Sequence, residues 1–478
     1  MMALASSLSN DACCDELEAR SFSLSSDVPY DGPDSPDFVP ARLVEVELGG
    51  PLAAVAAVAA GGRRYARALA LVRLHTRPLG VVELPLPPGG LAAAECARLV
   101  WAALGDAIAA HLRADGLPVP AALPVAGLPA AAPACLAARA ALRAAAPFVS
   151  VVVATRDRPA SLAACLEALL ALDYPAYEII VVDNAPSDEA TAECVRRAQG
   201  GRAAVRYVRE ARPGPSWARN RGLAEARGAL VAFTDDDVAV DAHWLSALAE
   251  GFAAAAGVAC VTGLVLPAEL ETPAQQLIEQ CGGFGKGFAR RVHEPTRGRG
   301  GDRLHPYIAS AFGSGNNMAF RTDVLRALGG FDPALGPTTP ALGGEELAAF
   351  FGVLRAGYRL VYEPAAFMRH RHRRDYAGLR RQLRGWGVGF TAYLTKSLLD
   401  HPRLLPDFAA RVPYGLYSAL SARAPRNARK PAGLPRDLTR AERLGWLYGP
   451  LAYLRSRREL HRTYGTQGYL PKSSVSHS

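Results

Sequence analysis

The chain has 478 residues, which at roughly 150 residues per domain implies about three structural units. Half of the residues are apolar and 21% are charged, which excludes a wholly disordered or low-complexity protein. The net charge of +9 is local: residues 401–478 hold 14 Lys and Arg against 4 Asp and Glu, while the rest holds 40 against 41, so the excess does not make the whole molecule a polyanion binder.

Residues 1–40 carry eight acids against the single Arg20 and read as a flexible acidic tail. They lack the basic start and apolar stretch of a secretory signal. Cysteines 13, 14, 96, 135, 165, 194, 260 and 281 form no C-x-x-C pair, and no histidine stands at metal-ligand spacing from them. That pattern argues against a zinc site or a disulfide scaffold, and the expectation is a cytoplasmic protein. Residues 41–116 predict a small α+β domain. Arg42–Leu48 alternates at a period of two, 65–74 and 79–86 are strand-like, and 92–114 sets Cys96, Leu99, Val100, Leu104, Ile108 and Leu112 on one helical stripe. His111 beside that stripe reads as a packing residue, and the domain's expected role is docking or acceptor positioning. Leu117–Ala138 is uncharged and nominally long enough to cross a bilayer. Five prolines interrupt it, so residues 117–146 read as a Pro/Ala-rich linker and no transmembrane segment is expected.

From Phe148 the pattern becomes strand–helix alternation, which predicts a mainly parallel α/β sheet. Strands over 148–154, 177–182, 205–208 and 229–233 alternate with helices from Pro159, near 189–197 and near 215–226. In such sheets ligands bind beyond the carboxyl ends of the strands, where Asp157, Asp183 and Asp235-Asp236-Asp237 fall. Three adjacent carboxylates repel one another, and a divalent cation relieves that repulsion; a solvated acidic turn is the plainer reading. A metal-bearing acidic turn suits a diphosphate, because the ion stabilises charge on a leaving group. No P-loop or G-x-G-x-x-G pattern is present, and residues 281–301 with their glycine cluster read as a loop over the site. Glu345 and Glu346 open a helix, where the macrodipole favours ionised carboxylates, one of which can act as a general base. His370 follows a strand over 358–362 and can complete a metal shell.

Over residues 147 to about 375 the chain resembles family 2 glycosyltransferases of the GT-A fold. The resemblance rests on Val149–Ala154 with Thr155-Arg156-Asp157, Ile179–Asn184, Ala218–Gly222, Phe233–Asp237, Gly313–Met318 and Gly344-Glu345-Glu346. It implies a GT-A-like mixed, mainly parallel sheet flanked by helices over 147–395, and inverting transfer from a nucleoside diphosphate sugar to an acceptor hydroxyl in polysaccharide or glycolipid assembly. Thr155, Asp157, Asp183 and Arg219 would then line the nucleotide site, with Asp235 near the ribose. Asp237, or Asp236, would hold Mn²⁺ or Mg²⁺, with His370 as a further ligand. Family members usually carry Glu-Asp at Glu345-Glu346, which leaves open which of the two is the base. Gln382-Leu383-Arg384-Gly385-Trp386 departs from the Q-x-x-R-W signature of processive synthases, so a single addition is expected.

Residues 396–478 predict a basic helical extension whose arginines flank the apolar Trp446–Leu454. Such a segment can hold a protein at an anionic membrane surface, where lipid-linked acceptors reside, or pack on the core as a solvated extension. Competing readings are a nucleotidyltransferase on a similar sheet, and a non-catalytic nucleic-acid or membrane binder. No nucleic-acid motif supports the last, and no nucleic-acid partner is expected.

Overall fold

The structure is a computed structural model, and it describes residues 38–129, 133–200, 203–296, 302–421, 423–424, 427 and 434–465. The acidic tail up to residue 37, residues 297–301 of the glycine-rich loop and residues 466–478 of the basic end lie outside the described residues.

The period-two segments of the small domain form strands β1 (Ala41–Glu47), β2 (Arg67–Leu74) and β3 (Arg77–Pro85), followed by helix α1 (Ala93–Ala114). Strand β1 pairs parallel with β2, which pairs antiparallel with β3. Cys96, Val100, Ile108 and Leu112 of α1 close a core against Leu74, Val82 and Leu84. The proline-interrupted segment after α1 lies against this domain: Val125 O accepts from Leu52 N at 2.8 Å, and Leu123 is buried. Helix α2 (Ala134–Ala144) then leads into the main sheet.

That sheet contains β4 (Val149–Thr155), β5 (Tyr177–Asn184), β6 (Ala204–Glu210), β7 (Leu230–Asp235), β8 (Val238–Val240), β9 (Val258–Pro267), β10 (Arg291–His293), β11 (Met318–Arg321) and β12 (Arg359–His370). Their order is β10-β12-β9-β11-β7-β4-β5-β6, with β8 on β12. The contacts β4–β5, β5–β6, β4–β7 and β9–β12 are parallel, and β11 runs antiparallel between β7 and β9. Helices α3 (Pro159–Leu170), α4 (Ala190–Ala198), α5 (Pro215–Glu225), α6 (Trp244–Ala253), α7 (Pro273–Gln280), α8 (Thr322–Ala327) and α9 (Glu345–Arg355) accompany the strands. The architecture is the expected mixed, mainly parallel sheet flanked by helices. Burial on both faces explains why β4 and β5 read as apolar runs without alternation. The strand read over 358–362 continues through to His370 in β12, whose register slips between Glu363 and Met368, where Pro364 withholds a ladder donor.

Because β5 and β7 flank β4 on opposite sides, the chain reverses its direction of travel across the sheet at β4, and a crevice opens beyond these strand ends. The small domain is bolted to this sheet. Leu71 shares a buried cluster with Leu264, Leu266, Tyr362 and Phe367, and Tyr65 donates to Glu271 at 2.6 Å. Arg77 of β3 and Arg139 of α2 both pair with the buried Glu250 of α6.

The C-terminal extension is helical: α10 (Tyr376–Asp400), α11 (Leu405–Leu420) and α12 (Arg436–Tyr464). Helices α10 and α12 approach so closely that a Cβ on Gly445 would lie 2.5 Å from Arg384 O. Tyr453 of α12 donates to Asp332 at 3.1 Å, so this helix is part of the folded body. Among the described residues, no helix is long and apolar enough to cross a membrane.

Candidate active site

Strand register sets the first half of the site. Thr155 at the end of β4 stands opposite Asp183 in β5, and Ala154 opposite Asp235 in β7, so one sheet edge gathers these residues. Asp183 is fully buried. Its Oδ2 accepts from Tyr207 at 2.9 Å, while Oδ1 has no hydrogen-bond partner. Burial pushes its carboxyl above the usual range, with Tyr207 opposing. Asp157 has left-handed backbone (φ 53°) and accepts from both the amide and the hydroxyl of Ser187 at 2.9 Å, which hold its carboxyl below the usual range.

The turn after β7 separates its three carboxylates. Asp235 faces Arg219 on α5, whose Nη2 donates at 3.2 Å. Asp236 turns inward, accepting from the Thr155 hydroxyl at 2.6 Å and from Arg158 at 2.7 Å. Burial raises its pKa against those two donors. Asp237 meets His370 Nε2 at 3.4 Å and Arg158 at 3.2 Å. Burial alone would raise the Asp237 carboxyl, but His370 and Arg158 outweigh it and hold the pKa at about 2.

His370 is itself oriented from behind. Its Nδ1 lies 3.0 Å from Nδ1 of His372, whose Nε2 lies 2.7 Å from Glu279 on α7. His370 Nε2 faces Asp237, where a proton on it donates to that carboxylate; given up to a cation, the same nitrogen would offer its lone pair on the Asp237 side. An imidazole braced by an outer carboxylate, beside a carboxylate oxygen, is a donor set that fits Mn²⁺ or Mg²⁺. The Phe284 ring covers this pair, with centroids 5.0 Å from His370 and 5.5 Å from His372, and its other neighbour is Trp386 at 5.3 Å. The described part of the glycine-rich loop is thereby anchored beside the acidic turn.

The second half of the site is the start of α9. Gly344 adopts left-handed backbone (φ 92°) just before the helix, a conformation glycine takes without strain. Glu345 is buried and accepts from Arg219 Nη1 at 2.9 Å. Arg219 therefore bridges Asp235 and Glu345. Glu346 packs on Gly315, where a Cβ would come within 3.2 Å of its side chain. Burial and the adjacent Glu345 carboxylate raise the Glu346 pKa well above the usual range, with Arg219 opposing.

All ten residues expected at the site thus stand on the strand-end side of one sheet or on the facing helix start, although Thr155 is engaged by Asp236 and Glu345 by Arg219. Arg158, Tyr207, Glu279, Phe284 and His372 were missed. His372 carried a signal, its i+2 spacing from His370. Glu279 carried none, being 93 residues from its partner in sequence.

This acid-lined crevice lies at a switch point of an α/β sheet. Residues 150–329 match the family model for glycosyl transferase family 2. Glycosyltransferase AglE of Haloferax volcanii is 32% identical over 102 residues, 21% of this chain and 33% of the relative. The pre-mycofactocin glycosyltransferase of Mycobacterium tuberculosis is 29% identical over 175 residues, 36% of this chain and 32% of the relative. The chain therefore spans about a third of the length of these curated relatives. Among solved structures, the mannosyltransferase PcManGT from Pyrobaculum calidifontis in complex with GDP-Man and Mn²⁺ is 20% identical, with a TM-score of 0.38 over 67% of this chain and 76% of that one.

Proposed function

We propose that this chain transfers a glycosyl group from a nucleoside diphosphate sugar to an acceptor hydroxyl, with inversion and with a divalent cation on the diphosphate. The observation that carries the reading is the division of labour among its carboxylates. Arg219 engages Asp235 and Glu345, Thr155 and Arg158 engage Asp236, Asp237 stands between Arg158 and His370, and Glu346 packs on Gly315 at the start of α9.

Asp183 and Asp157 stand together at the strand ends where the nucleotide would lie, Asp183 buried behind and Asp157 exposed. Asp237 and His370 would hold Mn²⁺ or Mg²⁺, which would neutralise charge on the departing diphosphate. Asp236 braces the turn through Thr155 and Arg158. Glu346 takes the acceptor's hydroxyl proton. The acceptor oxygen forms the new bond to the anomeric carbon as the carbon–phosphate-oxygen bond breaks, its electron pair leaving with the diphosphate. A half-buried carboxylate with a raised pKa is a stronger base than an ordinary one, which suits that step. Glu345 positions Arg219.

The acceptor is lipid-linked and the protein works at an anionic membrane surface on the cytoplasmic side. Leu416 and Leu420 on α11 and Leu444, Leu447 and Leu451 on α12 are exposed beside Arg436, Arg440 and Arg443. Thermal melts with UDP, GDP, TDP and CDP, each with Mn²⁺ or with EDTA, test the donor site. A diphosphate at a hundred times its dissociation constant stabilises the fold by about 2.7 kcal/mol. A metal-dependent rise with one diphosphate, absent in Asp237→Ala, is expected; no rise with any of the four overturns the reading.

A further inference from the structure

Four side chains from three separate segments meet at one point in the small domain, away from the crevice. His75 sits in the turn between β2 and β3, His111 and Asp115 lie one helical turn apart at the end of α1, and Cys135 is in the first turn of α2. One donor atom from each lies within 4.8 Å of the others. His75 Nδ1 is 2.9 Å from Asp115 Oδ2 and 3.1 Å from His111 Nε2, and His111 Nε2 is 3.3 Å from the same oxygen. Cys135 Sγ lies 2.9 Å from Asp115 Oδ2, 3.8 Å from His75 Nδ1 and 4.0 Å from His111 Nε2. The side chains of His75, His111 and Asp115 are 5%, 11% and 5% exposed.

We propose that these four residues form a closed structural zinc site. Tetrahedral zinc with bonds of about 2.0–2.1 Å to nitrogen and oxygen and 2.3 Å to sulfur places its ligand atoms roughly 3.3–3.6 Å apart, and the six observed separations bracket that range. Hydrogen bonding alone accounts for the cluster poorly. Three donors would converge on one oxygen, and Nδ1 of His75 has a single hydrogen for two partners. On binding, the Cys135 thiol releases its proton to solvent as the sulfur–zinc bond forms, and both imidazoles bind neutral. One thiolate and one carboxylate then cancel the ion's two charges, which makes a buried site electrostatically acceptable.

The backbone supplies an independent sign. His75 and Thr76 are the two central residues of the hairpin turn and both have positive φ, 53° and 67°. Such turns ordinarily carry Asn-Gly, and a β-branched Thr in this region is strained. Strain of this kind persists where surrounding structure fixes the residue for a purpose. Here the turn delivers His75 to the cluster while Thr76 accepts from Arg139 of α2. The metal would staple hairpin tip, helix end and the exit of the proline-rich segment into one unit, and through Arg139 and Glu250 steady that unit on the catalytic domain. Sequence spacing conceals the site because its members stand 36, 4 and 20 residues apart, so the argument from absent C-x-x-C pairs does not reach it.

The test is the metal content of the full chain, with any affinity tag removed, after growth with zinc and dialysis against a weak chelator. One zinc per chain is expected in the wild type and equally in Asp237→Ala, which separates this site from the crevice; His111→Ala and Cys135→Ser should lose it. A chain that retains no zinc, or variants that retain as much as wild type, overturns the proposal. Should the variants fail to fold, Co²⁺ titration of the zinc-stripped wild-type chain decides. A thiolate-to-cobalt charge-transfer band saturating at one equivalent supports the site, and its absence overturns it.

Discussion

At the residue scale, Glu346, as the proposed base, would couple catalysis to stability in opposite directions. Its carboxyl is raised in the folded chain, so between the unfolded and folded pKa values the native state binds more protons, and stability falls as pH rises through that window. Above the window the full destabilisation is present, and below the unfolded value it is absent. Glu346→Gln should therefore raise the melting temperature at neutral pH, by roughly 2–4 °C for each kcal/mol relieved, and leave it unchanged near pH 4. The same variant should lower turnover by about 10²–10⁴-fold, and wild-type kcat/KM should climb with pH through the raised pKa. Melts and rate profiles of the pair over pH 4–9 check both; a variant less stable than wild type at neutral pH would refute the burial argument. Behind His370, Glu279→Gln should weaken Mn²⁺ binding roughly 10–100-fold without altering nucleotide binding in EDTA, because it removes only the carboxylate that orients His372 and His370. Calorimetric titration of Mn²⁺ in the presence of the preferred diphosphate measures it. The acidic members of this site were legible because apolar runs locate strand ends, and in a parallel sheet strand ends share one edge. Arg158 and Glu279 were not, since their roles depend on how α3 and α7 pack, which no local periodicity encodes.

At the element scale, the parallel core β4–β7 was legible from alternation of apolar runs and helical stripes, whereas β9 to β12 were mostly not. Strand β11 is four residues long, and Pro364 divides β12 into fragments that each look like a separate segment. The C-terminal helices were legible as helical and basic, yet their docking on the core was hidden in glycines, which sequence reading treats as breakers. Gly387, Gly445 and Gly449 instead let α10 and α12 touch backbone to backbone: a Cβ on Gly449 would come within 2.5 Å of Val388 O. Gly449→Val should destabilise the chain by about 1–3 kcal/mol through forced separation of the helices, and hydrogen exchange should rise in 436–464 before it rises in β4 or β5. Exchange rising uniformly would mean that α12 unfolds only with the whole molecule.

At the scale of the whole molecule, a charge excess confined to one end of the sequence coincides with a concentration of exposed leucines at the same end. Leu416 is 55% and Leu447 is 80% exposed, and Arg443 donates to Ala419 O at 3.1 Å, which places the end of α11 against α12. Solvated helices seldom show so many leucines to water beside arginines, but a helix lying in a bilayer interface does, with each basic residue near an anionic surface adding about 1 kcal/mol. The full chain should therefore co-sediment with phosphatidylglycerol-containing vesicles and not with neutral ones, and binding should weaken as salt screens the arginines. Leu416→Glu with Leu447→Glu should abolish binding while leaving the melting temperature within about 1 °C, because neither side chain is packed. Binding that survives the double variant would assign attachment to charge alone, and absence of binding to any vesicle would leave these leucines to a protein partner. Either result would also bear on the acceptor. If these helices lie in a bilayer interface, the domain would meet a lipid-linked hydroxyl in two dimensions, and turnover on such an acceptor should fall with vesicle binding in the double variant while donor binding stays intact.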